Sequence, residues 1–156
     1  MSVRSPTPPQ LLLKHQVCHS LYSASNALIR AYRPLLDELD LTYPQYLVML
    51  SLWERDGVII RQISEQCRLD APTLTPILKR LESKRLVRRG RSPIDERQRV
   101  IEVTAAGWAL RDVAADIPAR IACATGMTAE QGRQLRELTE LLHRHLVEGE
   151  SALAEG

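Results

Sequence analysis

Apolar residues between Leu11 and Leu39 fall mostly three or four positions apart, as in Leu11, Val17, Leu21, Ala24, Leu28, Ala31, Leu35 and Leu39. The spacing predicts one long amphipathic helix with Pro34 as its only breaker. Thr42-Tyr43-Pro44-Gln45 then reads as a capping box, Thr at the cap and Gln three residues on, with Pro in the first turn where its missing N–H is harmless. The helix it opens is expected to end near Arg55, before Asp56-Gly57 and the short β-prone run Val58-Ile59-Ile60.

ISEQCRLD predicts a short helix, and residues 70–82 a second, with Leu74, Ile77, Leu78 and Leu81 on its buried stripe. Pro76 is awkward there, a difficulty that shrinks if Thr73 is the effective cap. LVRRGRS and RVIEVT alternate with strand period and are joined by the polar SPIDERQ, which predicts a hairpin with a flexible tip. Thr104-Ala105-Ala106-Gly107 opens another helix, broken near Pro118 and again at Thr125-Gly126-Met127. Thr128-Ala129-Glu130-Gln131 starts the last, running to about Glu148 with Leu135, Leu138, Leu141, Leu142 and Leu146 apolar.

A helix, a helix-turn-helix and a β-hairpin in that order make a winged helix-turn-helix, so the fold class is mainly α with a small β-hairpin wing. Residues 1–10 read as a flexible tail and 11–156 as a single domain. Within it the winged helix-turn-helix covers about 42–104, and long helices flank it at about 11–39 and 105–148. Such apolar arms need something to bury them, most simply the same arms of a second copy. A homodimer would carry two reading heads on a two-fold axis, matching a palindromic operator in double-stranded DNA.

Charge supports the same reading. The net charge is only +2, yet nine Lys/Arg between Lys79 and Arg99 face three acids, a local balance of +6 on an otherwise acidic chain. Thr73, Thr75 and Lys79, toward the start and outer face of the second motif helix, are candidates for base edges and nearby phosphates. Arg80, Lys84, Arg88, Arg89 and Arg91 fit phosphate contacts, which supply affinity rather than sequence choice. Arg97 at the hairpin tip is placed to enter a minor groove, with Asp95 able to brace its guanidinium.

Apolar content of 44% over 156 residues is enough for a core. No window approaches the roughly 18 apolar residues needed to span a bilayer, and MSVRSPTPPQ lacks a signal-peptide core, which places the chain in the cytoplasm with no membrane partner. Cys18, Cys67 and Cys123 form no CxxC pair, so each begins as a free thiol. Cys67 reads as a packing residue.

KHQVCHSLYS sets Cys18 between two histidines. If the segment is helical, His15, Cys18, His19 and Tyr22 share roughly one face. That face suits a core cysteine, a metal ligand short of its remaining donors, or a redox-sensitive thiol stabilised by imidazoles and phenols. The residues alone leave all three open.

The run LDAPTLTPILKRLESKRLVRRGRSPIDERQRVIEVTAAG resembles the recognition helix and D-x-R wing of the MarR family of dimeric winged-helix regulators, the wing pair being Asp95 and Arg97. TLTPILKRLE and the first helix resemble more narrowly the organic hydroperoxide-sensing OhrR branch. Ala71-Pro72 departs from that branch, which usually has a small polar residue and Gly there, and Ile59 stands where a Thr cap is common. The resemblance implies a reactive cysteine paired with two tyrosines, here Cys18, Tyr32 and Tyr43. It also implies a resolving cysteine after the wing, which Cys123 fits, supplied by the partner subunit. The expected function is a DNA-binding repressor with an organic hydroperoxide as oxidant, calling for no metal, cofactor or catalytic turnover. A repressor responding to a small aromatic or phenolic ligand, with Cys18 incidental, is the alternative. A thiol peroxidase is disfavoured, because a basic winged head has no role in turnover.

Overall fold

The computed structural model describes residues 7–92 and 98–154, with side chains to residue 149. It forms two compact units, one through Ile117 and one from Pro118. The expected flexible tail lies outside the described residues for positions 1–6. Residues beyond it are not helical from Leu11 as the periodicity suggests. Two single 3-10 turns at Pro9–Leu11 and Leu13–His15 precede α1, which spans Val17–Asp37 and passes through Pro34.

The head continues with α2 (Tyr43–Glu54), β1 (Val58–Ile59), α3 (Ile60–Cys67), α4 (Ala71–Ser83), β2 (Val87–Arg91), β3 (Arg99–Val103) and α5 (Ala105–Ala114). Thr42 closes the expected capping box on α2: its hydroxyl accepts from the Gln45 N–H at 3.4 Å, and Gln45 Oε1 accepts from the Thr42 N–H at 3.1 Å. Ile59 offers no acceptor, so α3 keeps half a box, the Ile59 N–H donating to Gln62 Oε1 at 3.1 Å. On α5, Thr104 Oγ1 accepts from the Gly107 N–H at 3.1 Å.

Asp70, not Thr73, caps α4, its carboxylate accepting from the Thr73 N–H at 2.7 Å. Pro76 therefore sits six residues into the helix, where it deletes the bond an amide would give the Pro72 carbonyl. The helix survives because Leu74, Leu78 and Leu81 are buried along one stripe.

Helices α1, α3 and α4 end alike. Asp40, Arg68 and Arg85 adopt left-handed backbone at φ 51°, 54° and 60°. The N–H of the following Leu41, Leu69 and Leu86 reaches back five residues to Leu36, Ser64 and Leu81 at 3.0–3.1 Å. This is the Schellman closure, built here without glycine.

The sheet is three-stranded and antiparallel, in the order β1-β3-β2. Val58 opposes Ile101 and Ile59 opposes Val100, so the short apolar run after α2 completes the expected hairpin as a third strand. The core of the head joins Leu36 of α1, Tyr46, Val48, Met49 and Leu52 of α2, Ile63 of α3, the α4 leucines and Val87, Val100, Ile101 and Val103 of the sheet. Trp53 Nε1 donates to the Gly107 carbonyl at 2.9 Å and ties α5 to α2.

Two further helices follow, α6 (Ile117–Thr125) and α7 (Ala129–Ala154). Thr128 and Gln131 form the expected reciprocal cap at the start of α7, with bonds of 2.9 and 3.2 Å. Along α7, Leu135, Leu138, Leu141, Leu142, Leu146 and Val147 are all exposed in the single chain. No helix among the described residues is long and apolar enough to cross a membrane.

Candidate nucleic-acid interface and thiol site

The motif helices α3 and α4 bring Thr73, Thr75, Lys79 and Arg80 to the exposed side of the head. Both threonine hydroxyls are engaged locally. Thr75 Oγ1 donates to the Ala71 carbonyl at 2.8 Å, and the Thr73 hydroxyl bonds the Asp70 carboxylate, which together with the backbone bond holds that carboxyl below its ordinary range. The Lys79 and Arg80 side chains remain on the open surface.

The basic residues after α4 divide by what they touch. Lys84 Nζ lies 3.1 Å from Asp40 Oδ2 and 3.4 Å from Gln45 Oε1, and it donates to the Asp40 carbonyl. Its ammonium is thus committed to the turn between α1 and α2, unlike the free phosphate ligand its position in the basic run suggests. Arg88 pairs with Glu102 at 2.8 Å and Arg89 with Glu82 at 3.3 Å. Arg91 stands directly opposite Arg99 in the hairpin, both exposed. Like charges at opposed positions repel, so this pair costs the free protein stability and suits an anion laid across the two. Asp95 and Arg97, the expected wing-tip pair, lie outside the described residues.

Cys18 occupies the first turn of α1 and is exposed. The structure separates it from His15, which precedes the helix and places Nδ1 2.9 Å from the Pro9 carbonyl. The four-residue face expected from KHQVCHSLYS is therefore broken at its first member. His19 Nε2 faces Ser23 Oγ at 3.4 Å. Among the described residues no three His, Cys, Asp or Glu side chains cluster as a metal site.

Tyr32 and Tyr43 do come together, with ring centroids 4.9 Å apart, and Tyr46 extends the group to Tyr32 at 5.9 Å. Burial, then the neighbouring Tyr43 and Tyr46, push the Tyr32 phenol up to about 12, so it remains a donor at neutral pH. Tyr46 escaped the sequence reading, although its position three residues after Tyr43 in an apolar helix was a usable signal. Tyr32 lies fourteen residues beyond Cys18 on the same helix, about 21 Å along its axis. No chain can place this tyrosine pair on its own Cys18.

Cys67 is half-buried, its thiol 3.6 Å from the Leu47 carbonyl, and burial pushes its pKa up against a bond to Ser51 that lowers it. It fits the packing role. Cys123 is exposed on α6.

The sequence is 42% identical over 131 residues to the organic hydroperoxide resistance transcriptional regulator of Bacillus subtilis (strain 168), covering 84% of this chain and 87% of that relative. The chain belongs to the MarR family of winged-helix regulators. Residues 30–112 of this MarR-family protein also match the pattern of the transcriptional regulators SarA/Rot. It is 44% identical over 135 residues to the HTH-type transcriptional regulator TtmR of Methylorubrum extorquens (strain PA1), covering 86% of this chain and 69% of that one. Reduced AbfR bound to DNA, a protein of Staphylococcus epidermidis, is similar in structure with a TM-score of 0.72 at 32% identity, over 88% of this chain and 96% of that one. Overoxidised AbfR bound to DNA gives 0.69 at 34% identity, over 88% and 96%. These MarR-type relatives are transcriptional regulators and not enzymes.

Proposed function

We propose that this chain is a dimeric transcriptional repressor that leaves its operator when an organic hydroperoxide oxidises Cys18. The observation that carries the proposal is the placing of Cys18 and the tyrosines. The thiol is exposed at the start of α1, and the tilted ring pair Tyr32 and Tyr43 lies about 21 Å further along, so a Cys18 thiol can reach such a pair only on an antiparallel second copy of α1. Exposed apolar residues at both ends of the chain support pairing, among them Leu11, Leu13 and Val17 before and within α1, and the leucines of α7.

In the proposed reaction the Cys18 thiolate attacks the terminal oxygen of the hydroperoxide, the O–O bond breaks, and the departing alkoxide takes a proton from water to leave as the alcohol while Cys18 becomes a sulfenic acid. The thiol of Cys123 from the second copy then displaces that hydroxyl as water, giving an intersubunit disulfide. Protonated Tyr32 and Tyr43 donate to the sulfur before oxidation and lose it afterwards. The two heads shift, and their recognition helices no longer match successive major grooves. A cleft of about 250 Å³ beside Tyr43, walled by Ile29, Leu36 and Leu41 with Arg33 at its side, offers apolar surface to an organic tail. On the operator, Lys79, Arg80, Arg91 and Arg99 supply charge to phosphates, and Arg97 enters the minor groove braced by Asp95.

Mixed dimers test the reading. A Cys18→Ser chain paired with a Tyr32→Phe/Tyr43→Phe chain keeps one complete sensor, because the remaining Cys18 faces intact tyrosines. Wild type paired with a chain carrying all three changes keeps none. The first dimer is expected to release DNA on peroxide addition and the second to respond weakly. Equal responses would show that cysteine and tyrosines do not act across the two chains.

The same cleft suits a second reading, in which a small aromatic acid sits against Arg33 and drives release without oxidation. Release by such an acid from the Cys18→Ser protein would favour it.

A further inference from the structure

The face of α4 directly opposite its buried leucines carries Pro72, Pro76, Lys79 and Ser83, spaced four, three and four residues apart and all exposed. In a helix-turn-helix the start of this helix points into the major groove, so two prolines hold the middle of the reading edge. The hydroxyls around them donate elsewhere. Thr75 donates to the Ala71 carbonyl at 2.8 Å, Ser83 to the Arg80 carbonyl at 2.8 Å, and Thr73 bonds the Asp70 cap.

Most major-groove features need a hydrogen-bonding partner. Purine N7, guanine O6 and thymine O4 call for donors, while the amino groups of adenine and cytosine call for acceptors. The C5 methyl of thymine needs only apolar contact, and that is what a pair of pyrrolidine rings presents. We propose that Pro72 and Pro76 are specificity-determining residues that read thymine methyl groups in each half-site by van der Waals contact. The inference rests on the DNA-binding reading of the head. It also gives Pro76 a use in a helix interior that its missing N–H otherwise disfavours.

The test uses reduced wild-type protein to enrich duplexes from a random-sequence pool. Each thymine of the enriched duplex is then replaced in turn by deoxyuridine, which removes only the methyl group. At least one thymine in each half-site is expected to show about fourfold weaker binding per methyl lost. The Pro76→Ala and Pro72→Ala proteins, in which alanine favours the helix, are expected to bind thymine and deoxyuridine duplexes equally at the positions each proline contacts. Deoxyuridine duplexes that all bind like the parent would overturn the proposal, as would a full penalty retained by both variants. A pool from which nothing is enriched overturns the DNA-reading assignment itself, and this proposal with it.

Discussion

Lys84 Nζ lies 3.1 Å from Asp40 Oδ2, joining the end of α4 to the turn that follows α1. Asp40 holds left-handed backbone at φ 51°, and the same ammonium reaches Gln45, whose side chain completes the cap on α2. One cation thus fixes three elements of the head at their meeting point.

Lys84→Met is therefore expected to lower stability by about 1 kcal/mol while leaving the salt dependence of DNA binding unchanged. Arg80→Ala, a change at an open cation, is expected to reduce the slope of log K against log salt by about 0.9. Salt titrations of binding together with denaturant melts check both. A slope lost with Lys84 would return that residue to the phosphates.

Arg91 and Arg99 make an opposite-signed prediction. Removing either relieves a like-charge pair, so Arg91→Ala is expected to stabilise the free protein by about 0.2–1 kcal/mol. The same change is expected to weaken DNA binding and flatten its salt slope. Melting with and without DNA separates the two effects, and a loss of stability in the free protein would count against the like-charge argument.

Gly107 tests the fit of α5 to the head. A Cβ there would strike the Leu86 carbonyl oxygen and come within 2.7 Å of Val103 Cγ1. Backbone and core cannot both yield, so Gly107→Ala is expected to cost about 2–3 kcal/mol, read as a lower denaturation midpoint.

The sequence disclosed those parts of the fold that are written locally. Thr42 with Gln45, Thr104, and Thr128 with Gln131 announce three helix starts, and each side chain caps where expected. Helix ends were harder to read, since Asp40, Arg68 and Arg85 take the left-handed position where glycine would have been the signal. The cap at Asp70 was hidden by Pro76, whose cost favours a later start on local grounds but is overridden by burial of Leu74, Leu78 and Leu81. The hold on Lys84 is illegible in the sequence for a different reason. Its partner Asp40 is 44 residues away, and a charge run says nothing about which of its members is held by the fold. In the thiol site the spacing of Cys18 and Tyr32 was visible throughout, yet its meaning depends on α1 being continuous between them.

The Tyr32 phenol has a second, pH-dependent consequence. Its pKa rises from 10.0 to about 12 in the folded chain, through burial first and then Tyr43 and Tyr46. The folded state therefore keeps a proton that the unfolded chain releases, so the contribution to stability is complete below pH 10 and is lost as pH rises toward 12. Tyr32→Phe is expected to flatten the alkaline fall in stability followed by circular dichroism from pH 8 to 12. An unchanged profile would mean that the phenol is not held protonated.

The most direct measurement is DNA binding before and after an organic hydroperoxide, with non-reducing electrophoresis on the same samples. Wild type is expected to release DNA and run as a covalent dimer, both reversed by a thiol reductant. Cys123→Ser is expected to form a sulfenic acid trapped by a dimedone-type probe and to over-oxidise, since no second thiol captures it. Cys18→Ser is expected to bind DNA and ignore the peroxide. A Cys18→Ser protein that releases DNA on oxidation as wild type does would contradict the account at its centre.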